Sequence, residues 1–202
     1  MADQVKVSSE ATPAVDRTQG DASDTLKIKK TTLRLVKGDI TVQAIESFVY
    51  YARPDLALGS GFGTAIAQRG GPAVQEELNG LGPLATGDVV ITAAGDMKAE
   101  YIIHAVGPRF QEEDLEAKLK LTVQNCLVKA EEKGIRAIAF PPMGAGFYGV
   151  PLDLSARITL GVIGDYLMRQ TGITDVVVCL FDNREYLPFQ KQLAAIAAQR
   201  GR

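Results

Sequence analysis

The sequence predicts an α/β fold, a three-layer α/β/α sandwich built on a mixed central sheet. In the second half of the chain, strand-like runs at 135–140 and 174–181 alternate with helical runs. Such alternation is typical of parallel strands joined by crossover helices that cover both faces of a sheet. In the first half, strand-like runs at 87–95 and 99–107 follow each other without a helix between them, which favours antiparallel pairing.

The strand candidates are defined by their apolar patterns and by the residues that end them. The alternating segment 26–36 predicts one edge or half-buried strand, and the segment 44–52 predicts a second strand that ends before Pro54. The continuous apolar run at 174–181 is typical of a strand that is buried on both faces. The sheet is therefore expected to contain both half-buried and fully buried strands.

Helical periodicity is clearest at 112–133, where apolar residues recur at three- and four-residue spacing and Gly134 follows as a C-cap. The glycine-rich segment 56–71 is expected to begin as a loop and to run into a helix that ends near residue 79. Two further helices are expected at 153–170 and 185–199. These helices supply the outer layers of the predicted sandwich.

The composition is that of one soluble globular domain behind a short tail. Residues 1–25 contain no Leu, Ile, Phe, Tyr or Trp and cannot bury enough apolar surface to fold, so we expect a disordered tail and a domain at 26–202. The tail lacks the charged and apolar regions of a signal peptide, which favours a cytoplasmic protein. The net charge of −2 favours neither a nucleic-acid partner nor a membrane surface.

The histidine and cysteine content argues against a metal centre. The sequence contains one His, His104, and two separated Cys residues, Cys126 and Cys179. They form no group with the spacing of metal ligands, so we expect neither a bound metal nor a resident cofactor. Both cysteines fall in apolar patterns and are expected to be reduced core residues, and His104 is expected to be structural as well.

Two glycine-rich loops are the main candidates for ligand binding. The first, 59–63 (GSGFG), and the second, 144–149 (GAGFYG), each follow a strand-like run and precede a helix. Glycines let backbone amides approach an anion, and the N-terminus of the following helix adds partial positive charge. Two such loops could bind a diphosphate from both sides, although tight strand-to-helix turns would explain either loop without a ligand.

A Rossmann dinucleotide site is disfavoured although the second loop matches G-x-G-x-x-G. Its last glycine precedes the expected helix instead of opening it, and Phe147 and Tyr148 are bulky where the backbone should approach the pyrophosphate. The acidic residue expected about 20 positions further on is missing.

The order and spacing of the motifs resemble those of macrodomains, the ADP-ribose-binding modules. The matching segments are VKGDIT (36–41), the first glycine loop, TGDVVIT (86–92), YIIHAVGP (101–108) and AFPPMGAGFYGVP (139–151). The resemblance extends over about residues 30–200 and implies the same three-layer fold.

The resemblance also implies a set of ligand-binding residues. Asp39 would accept a hydrogen bond from the exocyclic amine of adenine beside the amide of Ile40, although an Asp after Gly at a strand end is equally a turn residue. The diphosphate would lie between two loops, formed by Gly59, Ser60, Gly61 and Phe62 on one side and by Gly144, Ala145, Gly146, Phe147 and Tyr148 on the other. Asn183, between Asp182 and Arg184, would approach the adenine face.

The first ribose-binding loop departs from the family pattern. Tyr50-Tyr51-Ala52-Arg53 stands where macrodomains usually have N-A-A-N, and Gly63 stands where many have an Asp. Arg53 cannot act as a general base because its guanidinium stays protonated. The nearby carboxylates, Asp55 and Glu46, are the remaining candidate bases.

Arg53 allows two interpretations. Beside the distal ribose it could pair with a terminal phosphate or carboxylate of the ligand. Alternatively, it faces solvent or pairs with Asp55 or Glu46.

These observations predict a module that binds ADP-ribose or a related adenine diphosphate nucleotide and lacks the usual de-ADP-ribosylating residues. Its expected partners are that nucleotide and, by the same resemblance, ADP-ribosylated protein. Two alternatives stay open at this point. One is an active hydrolase of ADP-ribosyl esters or O-acetyl-ADP-ribose. The other is a degenerate macrodomain used for protein or RNA contacts.

Overall fold

The computed structural model describes residues 24–59 and 61–200, which form seven strands and five helices. The strands are β1 (Thr25–Ile28), β2 (Thr31–Lys37), β3 (Ser47–Tyr51), β4 (Val89–Ala93), β5 (Tyr101–Ala105), β6 (Ala137–Phe140) and β7 (Asp175–Leu180). The helices are α1 (Phe62–Gly70), α2 (Pro72–Leu78), α3 (Leu115–Lys133), α4 (Leu152–Leu167) and α5 (Asn183–Arg200).

The sheet is mixed and has the order β1-β2-β7-β6-β3-β5-β4. The five central strands, from β2 to β5, are parallel, with Val36 opposite Cys179 and Ser47 opposite Ile138 in their registers. The edge strands β1 and β4 pair antiparallel with β2 and β5. The predicted mixed α/β/α architecture is therefore confirmed, and β2, β7, β6 and β3 all end at the same edge of the sheet.

Two hydrophobic cores lie on opposite faces of the sheet. Successive residues of β3 divide between them, because side chains alternate faces along a strand. Phe48 and Tyr50 pack with the buried residues of α1 and α2, whereas Val49 and Tyr51 pack with those of α3, α4 and α5. The last two residues of β3 thus extend to opposite faces at the edge where the parallel strands end.

The predicted strand at 26–36 is in fact a hairpin. β1 and β2 are joined at Lys29 and Lys30, and Lys29 adopts a left-handed φ of 52°. Before the turn the buried apolar residue has an even number, Ile28, and after it the buried apolar residues have odd numbers, Leu33 and Leu35. The alternation of apolar residues is therefore not continuous across the turn. That change of phase is the signal that distinguishes two strands from one.

The helix predicted to end near residue 79 is two helices. Gly71, at a φ of 75°, separates α1 from α2, and Pro72 occupies the first position of α2. Proline suits a helix start because its missing N–H would have no partner there. The helix expected from residue 112 begins at Leu115, after Asp114 in a left-handed conformation.

Two residues of the predicted tail, Asp24 and Thr25, are among those that the structure describes. Thr25 begins β1, and buried Asp24 accepts a hydrogen bond of 2.8 Å from Gln190 Nε2 on α5. The rest of the predicted tail, residues 1–23, lies outside the described residues, as do residues 201–202.

The turn after β5 packs tightly beneath Tyr51. The Tyr51 hydroxyl donates a hydrogen bond of 2.6 Å to the Pro108 carbonyl. A Cβ at Gly107 would lie 2.1 Å from the same hydroxyl and 2.3 Å from Tyr51 Cζ, closer than van der Waals contact permits. Position 107 must therefore be glycine for the Tyr51 ring to occupy this place.

Gly107→Ala should lower the free energy of unfolding by about 1–3 kcal/mol, the usual cost of overpacking a core. Denaturant titration measures the effect. Gly161→Ala is the matched control, because a Cβ at that position in α4 meets no atom within 4 Å and alanine favours helix. A Gly107→Ala protein as stable as the unmodified chain would contradict this description of Tyr51.

Candidate functional site

A cleft of about 500 Å³ opens at the edge where β2, β7, β6 and β3 end. Most of the predicted ligand-binding residues line it, namely Asp39, Ile40, Arg53, Gly61, Phe62, Ala145, Gly146, Phe147 and Tyr148. Gly59, Gly144 and Asn183 are not among the lining residues, and Ser60 lies outside the described residues.

Asp39 occupies the β2 end of the cleft and is held by three hydrogen bonds. Its Oδ1 accepts from the Thr41 amide at 2.9 Å and from the Thr41 hydroxyl at 2.6 Å, which caps a short 3₁₀ turn at Ile40–Val42. Its Oδ2 accepts from Arg69 Nη1 at 2.7 Å. Asp39 is therefore a turn residue, as one of the two interpretations of the sequence held, and it also lines the cleft.

The Asp39 carboxyl group is ionised at neutral pH. Partial burial raises its pKa, but the hydrogen bonds from Thr41 and the Arg69 guanidinium outweigh burial and bring the pKa below its ordinary value. A carboxylate oxygen accepts two hydrogen bonds, so Oδ2 keeps one acceptor position besides its bond to Arg69. Asp39 therefore offers the cleft a fixed, negatively charged acceptor.

The second glycine loop forms one wall of the cleft. It contains a 3₁₀ turn at Gly146–Tyr148, whose first amides have no partner within the turn. The Tyr148 ring packs 4.8 Å from the ring of Tyr51, while Phe147 is 83% exposed at the mouth. Gly144 supports the loop from behind, since its φ is 73° and a Cβ there would lie 2.7 Å from Val150.

The first glycine loop forms the opposite wall where it enters α1. Gly61, with a φ of 53°, is the N-cap residue of α1. Since glycine has no side chain, it leaves the first amides of α1 uncapped. Gly61 and Phe62 line the cleft, whereas a Cβ at Gly59 would meet no atom within 4 Å. The two loops therefore face each other across the cleft through Gly61 and the turn at Gly146–Tyr148.

Arg53 follows β3 and forms a two-pronged ion pair with Asp55. Its Nε lies 2.9 Å from Asp55 Oδ1 and its Nη2 lies 2.6 Å from Asp55 Oδ2. This is the second of the two interpretations that the sequence allowed, although Arg53 also lines the cleft. The hydrogen bond from Arg53 lowers the pKa of Asp55, which makes this carboxylate a weaker proton acceptor.

Glu46 is excluded as a base for this cleft. It precedes β3, at the opposite end of the strand from the cleft, and its Oε2 accepts hydrogen bonds from the amides of Arg136 and Ala137 at 2.8 and 2.9 Å. A proton acceptor must lie within hydrogen-bond reach of its water. Sequence proximity to Arg53 was misleading because β3 separates the two residues.

Near the end of β7, the cleft is not lined by Asn183, which the sequence predicted to lie there. Asn183 is exposed as the first residue of α5. The Asp182 carboxylate accepts hydrogen bonds of 2.7–2.9 Å from the amide and the guanidinium of Arg184. Phe181 and Glu185 line the cleft instead, and Phe181 is 71% exposed. The signal for Phe181 was its position directly after the buried strand β7.

A family model described as Macro domain matches residues 52–159, more than half of the chain. The chain belongs to the macrodomain family. This confirms the family that the motifs indicated.

Relatives match this macrodomain over most of its length. A macro domain-containing protein of Caldanaerobacter subterraneus subsp. tengcongensis is 39% identical over 171 residues, which span 80% of this chain and 95% of that protein. A Pantoea vagans protein named O-acetyl-ADP-ribose deacetylase 1 is 36% identical over 167 residues, or 80% of this chain and 98% of that protein. A solved variant of an Oceanobacillus iheyensis macrodomain with ADPR has a TM-score of 0.81 and 32% identity, covering 86% and 98% of the two chains.

The charge distribution in this macrodomain is uneven along the cleft. Among the described residues that line it, the carboxylates are Asp39 and Glu185, both beside β2 and β7. At the β3 end the lining residues are aromatic, chiefly Tyr50, Tyr51 and Phe62, with the guanidinium of Arg53. The carboxylates that line the described cleft thus lie at one end of it, where Arg69 pairs with Asp39.

Neither a metal cluster nor a membrane span is found in the described ranges. Residues 24–59 and 61–200 hold no group of three His, Cys, Asp or Glu side chains placed to bind an ion. Across the same residues, no helix combines the length and apolar character that a bilayer crossing requires. Cys126 is a buried free thiol, and Cys179, also free, contacts the Gly38 carbonyl at the floor of the cleft.

His104 is a core residue, as the sequence predicted. It is fully buried in β5, and its Nε2 lies 2.8 Å from the hydroxyl of Thr92. Burial lowers its pKa to about 3, so the imidazole is neutral in the folded protein.

His104 should not titrate between pH 5 and 8 in the folded protein. NMR can follow the imidazole directly because the chain contains one histidine.

The unfolded chain binds a proton on this group below its ordinary pKa of 6.5, so the free energy of unfolding should fall as the pH decreases from about 6.5 towards 3. His104→Asn should reduce this slope by about 1.4 kcal/mol per pH unit. A folded-state titration near pH 6.5 would contradict the prediction.

Proposed function

We propose that this macrodomain is a binding module for ADP-ribose or a closely related adenine diphosphate nucleotide, without the usual hydrolytic base. The observation that supports this most directly is the arrangement of the cleft. A fixed carboxylate, Asp39, lies at one end, and two glycine turns face each other beyond it. The similar Oceanobacillus iheyensis macrodomain with ADPR supports the same ligand class.

Asp39 would select adenine through its charge. Its free acceptor position on Oδ2 suits the exocyclic amine of adenine, which donates a hydrogen bond. A base that presents an oxygen at the same place, such as hypoxanthine, would bring two acceptors together and lose that bond. The Ile40 amide, next in the chain, would donate to a ring nitrogen of the base.

The diphosphate would lie between the two loops. The first amides of α1 and those of the turn at Gly146–Tyr148 lack partners within their own helical turns, and each can donate to a phosphate oxygen. The N-terminus of α1 adds the positive end of the helix dipole. Two sets of donors on opposite walls could hold both phosphates at once.

The described residues give little support for a general base beyond the diphosphate. The lining carboxylates stand at the adenine end, and Asp55 is held by Arg53. Burial raises the pKa of Tyr50 to about 12 and also raises that of Tyr51, so these phenols keep their protons at neutral pH. Binding without turnover is therefore the function that the geometry favours.

Hydrolysis of ADP-ribosyl esters is the second candidate, and one observation favours it. The Pantoea vagans relative is named O-acetyl-ADP-ribose deacetylase 1 and spans most of this chain. Asp55 would then act after release from Arg53. Turnover of O-acetyl-ADP-ribose by the purified protein, abolished by Asp55→Ala, would support this candidate and contradict binding without catalysis.

An ADP-ribosylated protein is a further proposed partner, in a cytoplasmic setting. Phe147 and Phe181 are strongly exposed at the mouth of the cleft. They could contact the polypeptide that carries the modification while the nucleotide occupies the cleft.

Asp39→Ala should weaken binding of ADP-ribose by at least about tenfold, the effect of one lost hydrogen bond to a charged group. Isothermal titration calorimetry with ADP-ribose, ADP, AMP and NAD measures this loss for each ligand. Asp182→Ala is the matched control, because that carboxylate lies near the same edge of the sheet but does not line the cleft. Unchanged affinity in the Asp39 variant would show that adenine is bound elsewhere.

A further inference from the structure

Tyr50 lies at the β3 end of the cleft, on the face of the sheet covered by α1. The residue is 6% exposed and lines the cleft. Its ring stands perpendicular to Phe62 at 5.2 Å and to His104 at 5.9 Å. These contacts fix the direction of the phenol, so the position of its hydroxyl is well determined.

The Tyr50 hydroxyl makes no hydrogen bond with any residue that the structure describes, yet it is not sealed in the core. The neighbouring Tyr51 hydroxyl differs, since it donates to the Pro108 carbonyl at 2.6 Å. Tyr50 lines the cleft, and its hydroxyl has no partner among the described residues, so it is free to form a hydrogen bond with a group in the cleft. A group bound in the cleft would supply the missing partner.

The hydroxyl occupies the place of a side chain at position 63. A Cβ added to Gly63, in the first turn of α1, would lie 2.6 Å from Tyr50 Oη. It would also lie 3.1 Å from the Cα of Leu58, so the backbone leaves little room on the other side. The phenol at position 50 and any side chain at position 63 therefore exclude each other.

The surroundings of Tyr50 favour an oxygen-bearing ligand group. Burial raises the pKa of Tyr50 to about 12 despite the opposing charge of Arg53 at the same end of the cleft, so Tyr50 keeps its proton and can donate a hydrogen bond. Asp39 lies three strand positions away, at β2, which corresponds to about 14 Å across the sheet. A nucleotide with its base at Asp39 would meet Tyr50 beyond its diphosphate.

We propose that Tyr50 is a specificity-determining residue whose hydroxyl binds an oxygen of the ligand beyond the diphosphate, and that Gly63 is required to seat it. The cleft then prefers adenine diphosphates that carry a sugar on the second phosphate over ADP itself. This inference rests on the proposed nucleotide function and adds the residue pair that reads the far end of the ligand.

Tyr50→Phe tests the hydroxyl without removing the ring. We expect the affinity for ADP-ribose to fall by about tenfold and the affinity for ADP to change less than twofold, measured by calorimetry on the full chain. Tyr101→Phe is the matched control, because its phenol lies at the opposite end of β5 from the cleft. Equal losses for the two nucleotides, or no loss for ADP-ribose, would overturn the inference. Failure of the unmodified protein to bind either nucleotide would instead contradict the proposed function.

A double-mutant cycle tests the exclusion between positions 50 and 63. Gly63→Ala in the unmodified chain should lower the melting temperature and weaken ADP-ribose binding. In the Tyr50→Phe background the same substitution should cost less stability, because the atom nearest to the new Cβ is gone. An identical loss of melting temperature in both backgrounds would overturn the pairing of these residues, and the soluble Tyr50→Phe protein keeps the test available if Gly63→Ala alone fails to fold.

Discussion

The parallel pairing of β2, β7, β6 and β3 is the constraint on which the cleft depends. Each parallel strand must leave the sheet at its carboxyl end, so four loops meet along one edge. These loops place Asp39 after β2, Phe181 after β7, the glycine turn after β6 and Arg53 after β3. The residues that line the cleft are far apart in the sequence and adjacent only because the strand order brings them together.

Two tyrosine–glycine pairs shape the β3 end of the cleft in the same way. Tyr50 and Tyr51 point to opposite faces of the sheet, and each places its hydroxyl where a Cβ would otherwise stand, at Gly63 and Gly107 respectively. The consequences differ, because the Tyr51 hydroxyl donates a hydrogen bond to the Pro108 carbonyl, whereas the Tyr50 hydroxyl has no such partner among the described residues and the residue lines the cleft. One pair places a ring beneath a turn, and the other carries the proposed ligand contact of Tyr50.

Helix α1 links the two ends of the cleft. Its first turn lies beside Tyr50, and its last turn carries Arg69, which holds the Asp39 carboxylate. This nine-residue helix has no side-chain cap at its first turn and holds the Asp39 carboxylate from its last turn. The sequence motifs do not indicate the pairing of Arg69 with Asp39, because the two residues lie 30 positions apart in the chain.

The sequence predicted the layers, the mixed sheet and most of the cleft, because apolar periodicity and glycine-rich turns are local signals. The sequence did not predict correctly which residues lie near the cleft where this depends on their position in the folded sheet. Glu46 is close to Arg53 in the chain but lies at the other end of β3, and Asn183 is tied into the start of α5 while Phe181 faces the cleft. The position of the Tyr50 hydroxyl at Gly63 likewise requires the helix and the strand to be packed.

A crystal structure of the protein with ADP-ribose would show which residues of the cleft contact each part of the nucleotide. We expect the adenine amine about 3 Å from the Asp39 carboxylate, the diphosphate between α1 and the turn at Gly146–Tyr148, and a sugar oxygen about 3 Å from the Tyr50 hydroxyl. A nucleotide bound in the reverse direction, with adenine beside Tyr50, or bound outside the cleft would contradict this expectation.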